Sequence, residues 1–159
     1  MSGVFPEDLG ALDAWLGAHV ESFRGPSAAR KFATGQSNPT YLIEAASGRY
    51  VLRRKPPGKL LKSAHMIERE FRVLKALRAT GFPAPRPLAL CEDPSVSGTA
   101  FYVMDFVDGR IFWDPALPEL KREDRRPIYD AMNEGLASLH SIDIAKAEMK
   151  RYSNEAGAE

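Results

Sequence analysis

In IEREFRVLKAL (67–77), Ile67, Phe71, Leu74 and Leu77 fall on one helical face at about 100° per residue, and Glu70 falls among them. A carboxylate in an apolar stripe is costly unless a cation meets it. Glu68, Arg69, Arg72 and Lys75 take the opposite, polar face. The nearest cations lie just upstream, where Tyr50-Val51-Leu52 runs into Arg53, Arg54 and Lys55. Pro56-Pro57-Gly58 then breaks the chain, because two prolines cannot continue a strand ladder. Strand alternation puts Val51, Arg53 and Lys55 on one face and Tyr50, Leu52 and Arg54 on the other. A cation of this strand is therefore the expected partner if Glu70 is buried. The helix is expected from an N-cap at Ser63 to a C′ residue at Gly81. From these residues alone, Glu70 makes a structural ion pair, lies at the helix edge, or fixes a functional cation, and all three readings stay open.

The rest of the chain reads as short strands around that core. Leu9, Leu12, Leu16 and Val20 form one stripe of an N-terminal helix, Glu7 to about Val20, with Gly25-Pro26 closing the segment. Glu7 and Asp8 suit the positive end of its dipole. Strands are expected near 29–33, 40–45, 49–54, 88–92 and 99–104, with Ser47-Gly48 turning the second into the third. Thr34-Gly35-Gln36-Ser37-Asn38 is a small polar loop able to offer N–H groups and hydroxyls to a phosphate, or to serve as a plain turn. Phe82-Pro83-Ala84-Pro85-Arg86-Pro87 must run extended. The apolar strand 99–104 ends at Asp105-Phe106-Val107-Asp108-Gly109, a linker whose backbone groups could edge a planar ligand or simply lead on to a loop. Asp105-Phe106 does not begin a metal-binding Asp-Phe-Gly, since Val107 follows. A further helix is expected from Pro127 to Ser141, with Ile128, Met132, Leu136 and Leu139 in register and His140 as a capping or packing residue. The segment from Ala145 to Glu159 is polar, patternless and expected to be poorly ordered.

Charge narrows the function. A net charge of +1 predicts no general attraction to nucleic acid or membranes. Arg49, Arg53, Arg54, Lys55, Lys59 and Lys62 form a local basic run, but no aromatics are interleaved as a nucleic-acid surface would need. Cys91 has no second cysteine to pair with, and no apolar run is long enough to span a bilayer. The first fifteen residues lack the basic and apolar regions of a secretory signal. The expected setting is cytoplasmic.

These pieces, in this order, resemble the amino-terminal part of the aminoglycoside phosphotransferase and choline kinase-like family. The resemblance rests on FATGQSNPTYLI, RYVLRRKPPG, IEREFRVLKAL, FPAPRPLAL, FYVMDFVDGR and LASLHSIDI, and covers Ala11 to Ile144. Within the family, YVLRRKPPGKLLKSAHMIEREF and VDGRIFWDPALPEL are most similar to bacterial phosphotransferases that look like the kinase-like domain fused to some acyl-CoA dehydrogenases. The resemblance implies an α+β fold: a protein kinase-like N-lobe with a five-stranded, mostly antiparallel sheet and a C helix. An N-terminal helix would precede it and the start of an α-helical C-lobe would follow. The implied divisions are 1–25 for the N-terminal helix, 26–109 for lobe and hinge, 110–144 for a linker and the first helix of the second lobe, and 145–159 for a polar tail.

The resemblance also implies a site for ATP and Mg2+, the metal ligands lying outside this chain. Ser37 and Asn38 would touch phosphates, and Arg53 would stand where kinases place a strand lysine, with Glu70 as its helix partner. Val51 would pack on the adenine and Met104 would stand behind it, while the Asp105 carbonyl and the Val107 N–H would bond its edge. Two departures stand out: arginine replaces lysine at 53, and Gly35 is the one glycine of the nucleotide loop. The family's catalytic His-Gly-Asp loop has no counterpart, since His19, His65 and His140 are followed by Val20, Met66 and Ser141. The expectation is an ATP-dependent phosphotransferase acting on a small-molecule hydroxyl, present here as a nucleotide-binding part without its catalytic loop. The alternative is a non-catalytic nucleotide-binding or interaction module.

Overall fold

The computed structural model describes residues 9–33, 38–58 and 66–143. Its elements are helix α1 (Gly10–His19), strands β1 (Ser27–Lys31), β2 (Thr40–Ala45) and β3 (Gly48–Arg54), helix α2 (Ile67–Ala79), strand β4 (Pro87–Cys91), short helix α3 (Pro94–Ser97), strand β5 (Phe101–Asp105) and helix α4 (Arg122–His140). The strands form one sheet in the order β1-β2-β3-β5-β4, and every neighbouring pair is antiparallel. The α+β architecture with a five-stranded sheet is thus the one expected.

Alternation divides the sheet into two faces. Tyr41, Ile43, Tyr50, Leu52, Phe101, Val103, Ala89 and Cys91 form one buried cluster with Leu12, Leu16, Val20 and Phe23 of the N-terminal segment. Helix α1 covers this face, with the Trp15 ring meeting Phe101 edge-on at 5.1 Å between centroids. Full burial of each large apolar side chain here contributes about 1.5–3 kcal/mol. The opposite face carries Thr40, Leu42, Val51, Arg53, Tyr102 and Met104, which follow from the same register. Helix α2 packs on that face against β4 and β5.

Boundaries moved where tertiary contacts compete with local signals. Strand β1 begins at Ser27 rather than 29, where Asp13 of α1 accepts a hydrogen bond from the Ser27 N–H at 2.9 Å. Strand β5 begins at Phe101 rather than 99, because the Thr99 hydroxyl instead donates to the Lys55 carbonyl at 2.8 Å. The expected N-cap Ser63 lies outside the described residues, as do Glu7 and Asp8. The first described turn of α2 is closed by the Met66 carbonyl, which accepts from the N–H groups of Arg69 and Glu70. The helix ends as expected, with Gly81 at φ +82, a conformation costly for any residue with a Cβ.

Helix α4 is the clearest correction, since it starts at Arg122 and takes Pro127 into its interior. Proline is cheapest in a first turn, which favoured a start there. Here the Lys121 carbonyl closes a turn ahead of it, accepting from Asp124 and Arg125, and Glu123 and Asp124 favour the helix start electrostatically. Its stripe is apolar as read, but Met132, Leu136 and Leu139 are exposed.

Candidate functional site

Strand β3 brings Arg53 to the face on which α2 presents Glu70. Arg53 Nε donates to Glu70 Oε2 at 2.7 Å and Nη2 to Oε1 at 3.4 Å. The pair is partly open to solvent, at 30% and 35% side-chain exposure. Glu70 is therefore not sunk in the apolar stripe; it lies on the side of α2 that looks along the sheet toward Arg53. Two further donors complete its shell: Asn38 Nδ2 at 2.9 Å on Oε1, and the Tyr102 hydroxyl at 3.1 Å on Oε2. Arg53 Nη1 donates to Thr40 Oγ1 at 3.3 Å, and that hydroxyl donates to the Asn38 carbonyl at 3.1 Å. Burial, and then the neighbouring Glu70 charge, push the Tyr102 phenol well above the ordinary tyrosine range.

Strand register arranges these groups in rows. Thr40, Arg53 and Tyr102 stand opposite one another across β2, β3 and β5. The next row on the same face is Leu42, Val51 and Met104. An apolar row thus lies directly beside a cationic, hydrogen-bonding row. The sequence pointed to Val51, Arg53, Glu70 and Met104, and the fold gathers them on this one face. It missed Thr40, Leu42 and Tyr102, although period-2 alternation placed Leu42 on the face of Thr40 and Tyr102 on that of Met104. Ser37 lies outside the described residues.

Glu68 is not on a solvated face as expected. It forms an ion pair with Lys55 and is less exposed than Glu70, at 16%. Two ion pairs therefore tie β3 and the residue just past its end to the first turn of α2, where acidic residues are favoured. On the other face Arg54 is buried, donating from Nε to Thr99 Oγ1 at 3.0 Å, and desolvation lowers its pKa.

Beyond Met104, the linker is braced by arginines. Arg86 pairs with Asp105 at 3.1 Å, and the Asp105 N–H donates to the Arg86 carbonyl at 2.9 Å. Arg49 pairs with Asp108 at 3.0 Å and lies 4.3 Å above the centre of the Phe106 ring. Val107 between them is 64% exposed. In the apolar row Leu42 and Val51 are almost fully buried, at 4% and 8% exposure. Among the described residues no three His, Cys, Asp or Glu side chains gather as a metal site.

A five-stranded antiparallel sheet with an ion-paired C helix on one face defines a kinase-like lobe, and comparison with known proteins agrees. The phosphotransferase enzyme family matches residues 28–159, and the chain belongs to that family. It is 55% identical over 127 residues to the Arabidopsis thaliana protein named probable acyl-CoA dehydrogenase IBR3, covering 77% of this chain and 15% of that protein. It is 46% identical over 154 residues to acyl-CoA dehydrogenase family member 11 of Mus musculus, covering 94% of this chain and 20% of the relative. A crystal structure from Ralstonia eutropha, described as a candidate aminoglycoside phosphotransferase, superposes with a TM-score of 0.78 at 43% identity. That match covers 94% of this chain and 42% of the solved one. The chain thus spans a fifth or less of these two curated relatives. Among the described residues no helix is long and apolar enough to cross a membrane.

Proposed function

We propose that this chain is the nucleotide-binding part of an ATP-dependent phosphotransferase acting on a small-molecule hydroxyl. The observation that carries the reading is the adjacency of the Leu42–Val51–Met104 row to the Thr40–Arg53–Tyr102 row, with Glu70 fixing Arg53. An adenine would lie on the first row, its edge bonded by the Asp105 carbonyl and the Val107 N–H, and its phosphates would meet Arg53, with Ser37 and Asn38 alongside. Arginine suits the phosphate role, because its planar fork can hold Glu70 with one edge and an anion with another. In this reading residues 26–109 are the lobe and hinge, and 110–144 open a second lobe. Mg2+ would arrive with the phosphates and take its protein ligands from elsewhere. The setting would be cytoplasmic.

Phosphoryl transfer also requires a group that positions the acceptor hydroxyl. The 159 residues contain no His-Gly-Asp run, so the chain alone binds nucleotide and transfers nothing. A non-catalytic nucleotide-binding module is the reading that remains if the longer protein carries no such loop. The names of the relatives make a hydroxyl-bearing acyl compound an acceptor to test beside aminoglycosides.

The test is a titration of the isotopically labelled chain with a non-hydrolysable ATP analogue. Signals of Val51, Met104 and the amides of 105–107 should shift together and saturate. Shifts confined to the cations of 49–62 would mean unspecific phosphate attraction and would end the reading. Metal-dependent ATP turnover by the purified chain would refute the inactivity.

A further inference from the structure

Glu70 is held from three directions by four hydrogen bonds, two on each carboxylate oxygen. That satisfies every lone pair a carboxylate offers. Only Arg53 among the three donor residues carries charge. The other two, Asn38 and Tyr102, are almost wholly buried, at 3% and 2% exposure. Asn38 lies just before β2 and Tyr102 lies in β5, so the carboxylate is held from both sides of β3. The consequence for Arg53 follows from its donors. Of five guanidinium N–H groups, Nε–H and one on Nη2 go to Glu70 and one on Nη1 goes to Thr40 Oγ1. Among the described residues, one N–H on each terminal nitrogen is left for a ligand.

We propose that Asn38 and Tyr102 are positioning residues: they immobilise Glu70, and through it set the Arg53 guanidinium so that its remaining Nη1 and Nη2 donors face the phosphates of a nucleotide. The inference deepens the nucleotide reading above and rests on it for the identity of the anion. It reassigns Asn38, which the sequence alone pointed toward direct phosphate contact. The Asn38 side chain acts at one remove, because its amide donates to Glu70. It also links the residue just before the Pro39–β2 junction to α2 through a single carboxylate. Loss of either clamp leaves Glu70 free to rotate about its side-chain torsions, and Arg53 then samples several orientations in place of one. The penalty falls on phosphate binding and not on adenine binding, because the apolar row is untouched.

The experiment uses Asn38→Ala and Tyr102→Phe in the full 159-residue chain, with folding checked by circular dichroism. Tyr102→Phe keeps the ring in the sheet and removes only the hydroxyl. Two readouts are taken. The first is the Arg53 Nε–H signal in NMR without ligand, expected to be sharp and slowly exchanging in the unaltered chain, and broadened and exchanging at least about tenfold faster in both variants. The second is affinity for a non-hydrolysable ATP analogue against affinity for adenosine. Both variants should bind the analogue about 5- to 20-fold more weakly and adenosine unchanged, a split that a general loss of structure would not produce. An unaltered Arg53 signal in both variants overturns the positioning role whatever binds. Equal losses for adenosine and the analogue overturn it as well, since the effect is then structural. If the unaltered chain binds neither compound, the nucleotide reading falls and takes the phosphate half of this proposal with it. The Arg53 signal then decides by itself whether the clamp exists.

Discussion

Replacing Glu70 by alanine should cost far more than replacing a charged residue on the outer face of the same helix. The substitution removes the acceptor of four hydrogen bonds. The ion pair is about one-third exposed on each side, so its loss falls between the ~0–1 kcal/mol of a surface pair and the ~3–5 kcal/mol of a buried one. About 1.5–2 kcal/mol is a fair share. The Tyr102 hydroxyl loses its carboxylate in a site that is 2% exposed, which adds about 1 kcal/mol. The total of about 3 kcal/mol corresponds to a drop of roughly 6–12 °C in melting temperature for a chain of this size. Lys75→Ala on the exposed side should stay within about 0.5 kcal/mol, or 1–2 °C. Glu68 would be a poor control, since its ion pair with Lys55 gives it a cost of its own. Glu70→Gln keeps the volume and one acceptor oxygen while removing the charge, and should fall between the two. The assay is thermal unfolding by circular dichroism with a urea titration at 25 °C. Melting temperatures for Glu70→Ala and Lys75→Ala that agree within about 2 °C would show that the network stabilises nothing, and the reasoning from its geometry would fail.

Three further outcomes are expected. The Tyr102 phenol is held above its ordinary range in the folded chain, so its stabilising contribution is complete below the unfolded tyrosine value near 10 and is lost as pH rises through the folded value. Urea midpoints should therefore fall less between pH 8 and 11 in Tyr102→Phe than in the unaltered chain, and parallel falls would contradict the shift. Gly81→Ala places a Cβ at φ +82 with nothing within 4 Å of it, so its cost of about 1 kcal/mol would be conformational alone; no change in urea midpoint would mean the helix ends differently. Leu16→Ala empties a position at 0% exposure between α1 and the sheet and should cost about 3–5 kcal/mol in chemical denaturation. A loss below 1 kcal/mol would show that α1 is only loosely attached.

Local chemistry determined what could be read from the residues. Period-2 alternation put Arg53 and Val51 on one strand face, and helical periodicity put Glu70 on the inner side of α2. The two partners are only 17 residues apart, so a strand, a proline break and a helix suffice to bring them together. The same reasoning found the β2–β3 hairpin and the glycine that ends α2. Helical phase places Glu68 on the outer face, but phase separates an inner from an outer face and cannot say how far the neighbouring strand extends. Lys55 lies just past the end of β3 and reaches that residue all the same. Only the tertiary structure decided the strand order that inserts β5 between β3 and β4. That order sets Tyr102 opposite Arg53, and it lets Arg49 brace Asp108 from 59 residues away. The β3–β5 register depends on Leu52 and Val103 meeting under α1, on the face away from the site. Pairings of this kind are fixed by which apolar faces must be covered at once, and no local stretch of sequence carries that information.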